Sequence, residues 1–203
     1  MNGHIEPIEV SLFRGELRSR ELPSSVNLGE INAVMNRLWK KSIRHIARGE
    51  VREYGGTLVL DKKGELKIIN VTEGSVDRVI LKHEVGEGET YVGTFHTHPY
   101  ETGQAGIAFS GADLADAINN SNIITLVQSG EWVFAAIRTE KTPSQVDWLE
   151  LDRELDEAYE GYLNEGIFPQ EAAFLANLDT CANYRLAFYY GEIFQELEEV
   201  YRP

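Results

Sequence analysis

Two histidines one residue apart, His96 and His98, follow the apolar run from Tyr91 to Phe95 and precede Pro99. Side chains on a β-strand alternate faces, so the two imidazoles point the same way and Thr97 points the other. Two imidazoles on one face are half of a metal site. Pro99 has no amide proton to give a sheet ladder, so it ends the strand just past the second imidazole, where a loop can lead to a third ligand. One loop later, Ser110-Gly-Ala-Asp113 brings a carboxylate. Three ligands drawn from histidine and carboxylate, with a fourth position left to water, make a catalytic zinc site, and His96, His98 and Asp113 supply that set.

A zinc ion brings the pKa of its water down toward about 7. A nearby acid that is not a ligand must still carry a proton from the nucleophile to the leaving group. Glu53, in Arg52-Glu53-Tyr54-Gly55-Gly56, is the best candidate, because glycines beside it allow close backbone approach. A carboxylate held beside a cation and partly desolvated can cycle between base and acid. Ser110 can donate its hydroxyl to the oxyanion that develops as water attacks a carbonyl. Ser110 and Asp113 also read together as an N-cap and a first-turn acid, a structural job that needs no metal.

Glu53-x-x-Gly56 after a helix, then His96-Thr-His98-Pro99, then Ser110-x-x-Asp113, resembles the JAMM, or MPN-plus, family of zinc metalloproteases over roughly residues 29–140. The resemblance implies a JAMM/MPN-like, cytidine-deaminase-like α/β fold. It implies zinc on His96, His98 and Asp113, Glu53 as general base and acid, and Ser110 as the oxyanion donor. It further implies hydrolysis of an amide bond after the C-terminus of ubiquitin or a ubiquitin-like protein. Some prokaryotic members act instead on other peptides or sulfur-carrier fusions. A peptide or toxin precursor is thus the alternative substrate, and a scaffold module without catalytic metal the alternative class. Ten residues, 100–109, separate Pro99 from Ser110 where the family usually has six. A surface loop tolerates four extra residues at little entropic cost, and this one is expected to serve as a lid or substrate-contacting flap.

The elements that must position these residues follow from hydrophobic spacing. Ile31, Val34, Met35, Leu38, Trp39, Ile43 and Ile46 fall at helical intervals and predict a helix over 29–48 that Gly49 stops. Strands are expected at 5–13, 56–60, 66–71, 76–81 and 90–98, the last four as an antiparallel meander. A short helix over 111–120 has Ser110 as its N-cap. Residues 122–128 and 131–138 form a hairpin across Ser129-Gly130. The fold expected is α/β: a curved, mixed, mainly antiparallel sheet flanked by helices. Residues 1–143 read as the metalloprotease domain and 144–203 as an acidic helical extension, with helices over 144–164 and 169–200.

Of the net charge of −14, residues 146–203 carry fourteen acidic against three basic side chains. That segment would repel a polyanion, and no basic, aromatic-interleaved patch offsets it, so nucleic acid is not expected as a partner. The acidic helices are expected to cover the domain, to form a dimer or to meet a partner. No apolar stretch approaches the ~20 residues of a membrane span, and the lone Cys181 excludes an intramolecular disulfide. The expectation is a cytoplasmic protein. Cys181 reads as a packed core residue in an apolar helical run. Tyr184, Phe188, Tyr189, Phe194 and Tyr201 read as one helical stripe, and His4, His45 and His83 as surface or capping residues.

Overall fold

Pro7 opens the first described element as a helix, where a strand over 5–13 is expected. Proline is pre-organised for a first helical turn, and Glu9, Leu12 and Phe13 are buried at helical spacing while Ile8 is exposed. The computed structural model describes residues 7–44, 46–76, 78–99 and 108–203. In chain order the elements are α1 (Pro7–Phe13), β1 (Ser25–Val26), α2 (Ile31–Ser42), β2 (Tyr54–Leu60), β3 (Leu66–Glu73), β4 (Thr90–His98), α3 (Gly111–Asn119), β5 (Ile124–Ser129), β6 (Trp132–Ile137), α4 (Trp148–Asn164), α5 (Pro169–Asn183), β7 (Ala187–Glu192) and β8 (Leu197–Tyr201).

All eight strands join one sheet in the order β1-β8-β7-β6-β5-β4-β2-β3. Every pairing is antiparallel except β4 with β5, which run parallel because α3 carries the chain back between them. The fold is therefore mixed α/β with a mainly antiparallel sheet. Each face has its own core. On one, Leu12, Phe13, Ile31, Met35 and Leu38 from α1 and α2 pack on Leu58, Phe95, Leu126, Ala135 and Tyr189. On the other, Leu114, Ile118, Leu151 and Cys181 from α3, α4 and α5 pack on Val127, Phe134, Ala136 and Phe188. Burial of each large apolar side chain contributes about 1.5–3 kcal/mol, so both helical layers hold the sheet in place.

Two further sequence expectations are corrected. The helix expected over 169–200 ends at Asn183, Arg185 takes a φ of 58°, and the chain continues as the β7–β8 hairpin. Phe188 and Tyr189 belong to opposite cores. Periodicity misled because a strand buried on both faces is a continuous apolar run, which looks like a buried helix. Residues beyond 143 thus supply two strands to the same sheet as well as α4 and α5. The strand expected over 76–81 does not form among the described residues there. Its neighbourhood is held instead by side chains, with Thr57 Oγ1 donating to the Lys82 carbonyl and Asn70 Nδ2 to the Glu84 carbonyl.

Candidate metal centre

The two histidines sit at the C-terminal end of β4, deep in the sheet between β2 and β5. Their register is fixed on both sides, with His96 opposite Gly55 and Val127, and His98 opposite Ser129. Thr97 faces away as expected, and its Oγ1 accepts from the Tyr54 amide at 3.0 Å. That contact anchors the start of β2 beside Glu53. Asp113 arrives from the first turn of α3 through a reciprocal cap. The Ser110 amide donates to Asp113 Oδ2 at 2.8 Å, and the Asp113 amide donates to Ser110 Oγ at 3.2 Å.

The three side chains converge. His96 Nε2 lies 3.1 Å from His98 Nε2, Asp113 Oδ1 lies 3.2 Å from His96 Nε2, and Asp113 Oδ2 lies 3.6 Å from His98 Nε2. Ligands at 2.0–2.1 Å from a tetrahedral ion stand about 3.3 Å from one another, so these separations suit one small cation. Both histidines are buried, and the group could hold a metal ion. Burial works to lower the His96 pKa, but the Asp113 carboxylate, joined by Glu53 and Asp116, outweighs it and holds the imidazole above its ordinary value. Burial works to raise Asp113, and His96 and His98 together hold it well below the usual carboxylate range.

Glu53 and Ser110 line the same cleft as the three ligands, a space of about 680 Å³. All five residues singled out in the sequence are therefore brought together. Glu53 is buried, and its backbone is clamped, its amide donating to the Ser75 carbonyl at 2.7 Å and its carbonyl accepting from the Gly74 amide at 2.8 Å. Gly55 leaves room for the chain crossing above, since a Cβ there would stand 2.4 Å from the Leu81 side chain. Ser110 Oγ caps α3 as an acceptor, which leaves its hydroxyl proton available to a substrate. Most of the ten-residue loop expected to act as a lid, 100–107, lies outside the described residues, as do His4 and His45.

The structure adds what spacing did not show. His83, read as a surface or capping residue, is exposed as expected and also lines the cleft together with Asp116, Thr94 and Thr125. Asp116 is legible in hindsight, one turn after Asp113 on the same helix face. No local signal points to His83, because its partners are 8 and 33 residues away. Cys181 is fully buried, and burial pushes its thiol pKa up, as a packed core residue requires.

No protein-family model, no curated protein and no solved structure matches this chain. Among the described residues, no helix is long and apolar enough to cross a membrane.

Proposed function

We propose that the protein is a zinc-dependent amide hydrolase, a peptidase or isopeptidase of the JAMM type. The observation that carries this reading is the convergence of His96, His98 and Asp113 in one cleft with Glu53 and Ser110. His96 Nε2, His98 Nε2 and the Asp113 carboxylate would hold the ion. Zinc bound there supplies a Lewis acid that acidifies a water molecule and polarises the scissile carbonyl.

The chain's own residues do the rest. A Glu53 carboxylate oxygen takes a proton from the attacking water and returns it to the leaving amine nitrogen. Ser110 Oγ–H donates to the carbonyl oxygen as negative charge develops there. Burial of Glu53, His96 and His98 at the floor of the cleft strengthens both interactions by limiting water. Ubiquitin-like conjugates are the proposed substrates, on the strength of the motif resemblance. The acidic α4 and α5 give no support to a polyanionic one.

Two measurements test the proposal. Metal content of protein purified without added zinc should approach one equivalent, or be restored by adding zinc. A ubiquitin-like fusion should be cleaved by wild type and not by His98→Ala. A Glu53→Gln protein that keeps its metal and cleaves at the wild-type rate overturns the role of Glu53.

A further inference from the structure

β6 and β7 carry a ladder of stacked aromatic rings. Phe134 stacks on Phe188 and on Tyr190 with centroids 6.4 Å apart in each case, and Tyr190 stacks on Trp132 at 5.5 Å. Phe174 of α5 lies against Phe188 and Tyr190 and covers the inner part of the ladder. Phe134 and Phe188 are buried, whereas Tyr190 and Trp132 are half-buried. Trp132 is the last rung, and among the described residues no ring but Tyr190 stacks on it.

Carboxylates stand round this open end. Trp132 and Tyr190 line a space of about 480 Å³ together with Glu192, Glu196 and Glu198. Glu192 of β7 is the strand partner of Trp132, and Glu198 of β8 is the strand partner of Tyr190, so both acids rise from the same face of the sheet as the rings. Glu196 accepts from Ser25 Oγ at 2.6 Å. Among the described residues no basic side chain pairs with Glu192 or Glu198, and the neighbouring Arg202 is held by Glu199. An open π-face and two carboxylates without a counter-charge both attract a cation. Arginine fits the pair best, because its guanidinium is planar, stacks on a ring and offers forked donors to a carboxylate at its edge.

The place of this pocket is set by strand register. His98 pairs with Ser129, Ser129 with Trp132, and Trp132 with Glu192, so one row across β4, β5, β6 and β7 joins the candidate metal centre to the pocket. Three strand spacings make about 14 Å. We propose that the pocket is a docking site for a basic segment of a partner protein, one arginine of which lays its guanidinium on the outer face of Trp132 with its charge against Glu192 and Glu198. The site needs no metal, so it does not depend on hydrolysis at His96, His98 and Asp113.

An acidic protein attracts any polycation, and the test separates that diffuse attraction from the site. The full chain is titrated by calorimetry at low ionic strength with acetyl-tetraarginine amide and acetyl-tetralysine amide, which carry equal charge. Wild type should bind the arginine peptide with a Kd below about 1 mM and at least about threefold more tightly than the lysine peptide. Trp132→Leu keeps an apolar side chain against Tyr190 and should abolish that preference, while Trp132→Phe keeps a ring and should retain it. Glu192→Gln with Glu198→Gln should weaken the arginine peptide by about threefold or more. Glu150→Gln with Glu160→Gln removes the same charge from α4 and should leave binding unchanged. Unaltered urea midpoints show that the variants are folded. A wild type that does not bind or does not prefer arginine, a preference that survives in Trp132→Leu, or equal weakening by the two glutamate pairs overturns the site.

Discussion

Asp113 Oδ1 stands 3.2 Å from His96 Nε2, with the second oxygen of the same carboxylate turned to His98. One acidic side chain therefore faces both imidazoles. Its approach is set by α3 and not by the histidines, because the cap from Ser110 fixes the first turn of that helix. Asp113→Ala should consequently remove a ligand and leave the strand ends where they are. Metal affinity, measured by competition with a chromophoric chelator, should fall by more than about 100-fold, beyond the range that loss of a supporting group causes. A variant that binds as tightly as wild type would remove Asp113 from the site.

Ser110 carries two jobs that one experiment can separate. Its Oγ accepts from the Asp113 amide, a cap worth about 1 kcal/mol. Its hydroxyl proton is assigned to the oxyanion, and loss of such a donor costs about 10²–10³ in kcat. Ser110→Ala should lower urea stability by the smaller amount while kcat falls by the larger. If stability alone changes, Ser110 is only a cap.

How far the sequence carries can be read from particular residues. Alternation placed His96 and His98 on one face, Pro99 marked the end of β4, and Ser110-x-x-Asp113 marked the start of α3. Each of these is a local rule, and each holds. Residues 187–201 were not legible as strands, because Phe188 and Tyr189 are buried on opposite faces and erase the alternation that marks a half-exposed strand. His83 was missed for a different reason. Its place in the cleft depends on Thr57 and Asn70 binding the backbone of residues 82 and 84, a contact that no window along the chain contains.

The β2–β3 turn, which leads back to the segment holding Glu53, is closed by Asp61. Its Oδ1 accepts from the amides of Lys63 at 2.8 Å and Glu65 at 3.0 Å, and Oδ2 meets Lys67 Nζ. The Lys67 ammonium, followed by these amides, holds its pKa down at about 2. A carboxyl whose pKa is lower in the folded state than in the unfolded one stabilises the fold above its unfolded pKa. That stabilisation is lost as pH falls through about 2. Carboxyl NMR titration should find Asp61 ionised well below the ordinary aspartate range, and Lys67→Gln should move its midpoint upward. An Asp61 that titrates normally in wild type would show that the turn is not held this way in solution.

Gly93 decides whether β4 can lie against β5 at all. It sits three residues before His96 with a φ of 156°, and a Cβ built there would meet the Ile124 carbonyl oxygen at 1.8 Å. That oxygen is backbone in a central strand and cannot rotate away, so Gly93→Ala must force the parallel pair apart. The expected loss is about 3 kcal/mol or more, read as a fall in the urea midpoint. Because His96 is registered on Val127 through the same pairing, metal affinity should fall with stability in this variant. In Gly49→Ala the new Cβ meets nothing within 4 Å, and the φ of 69° is a left-handed angle that alanine adopts at a cost of about 1–2 kcal/mol. A loss at Gly93 no larger than that at Gly49 would show that the contact with the Ile124 carbonyl adds nothing to the cost of a left-handed angle.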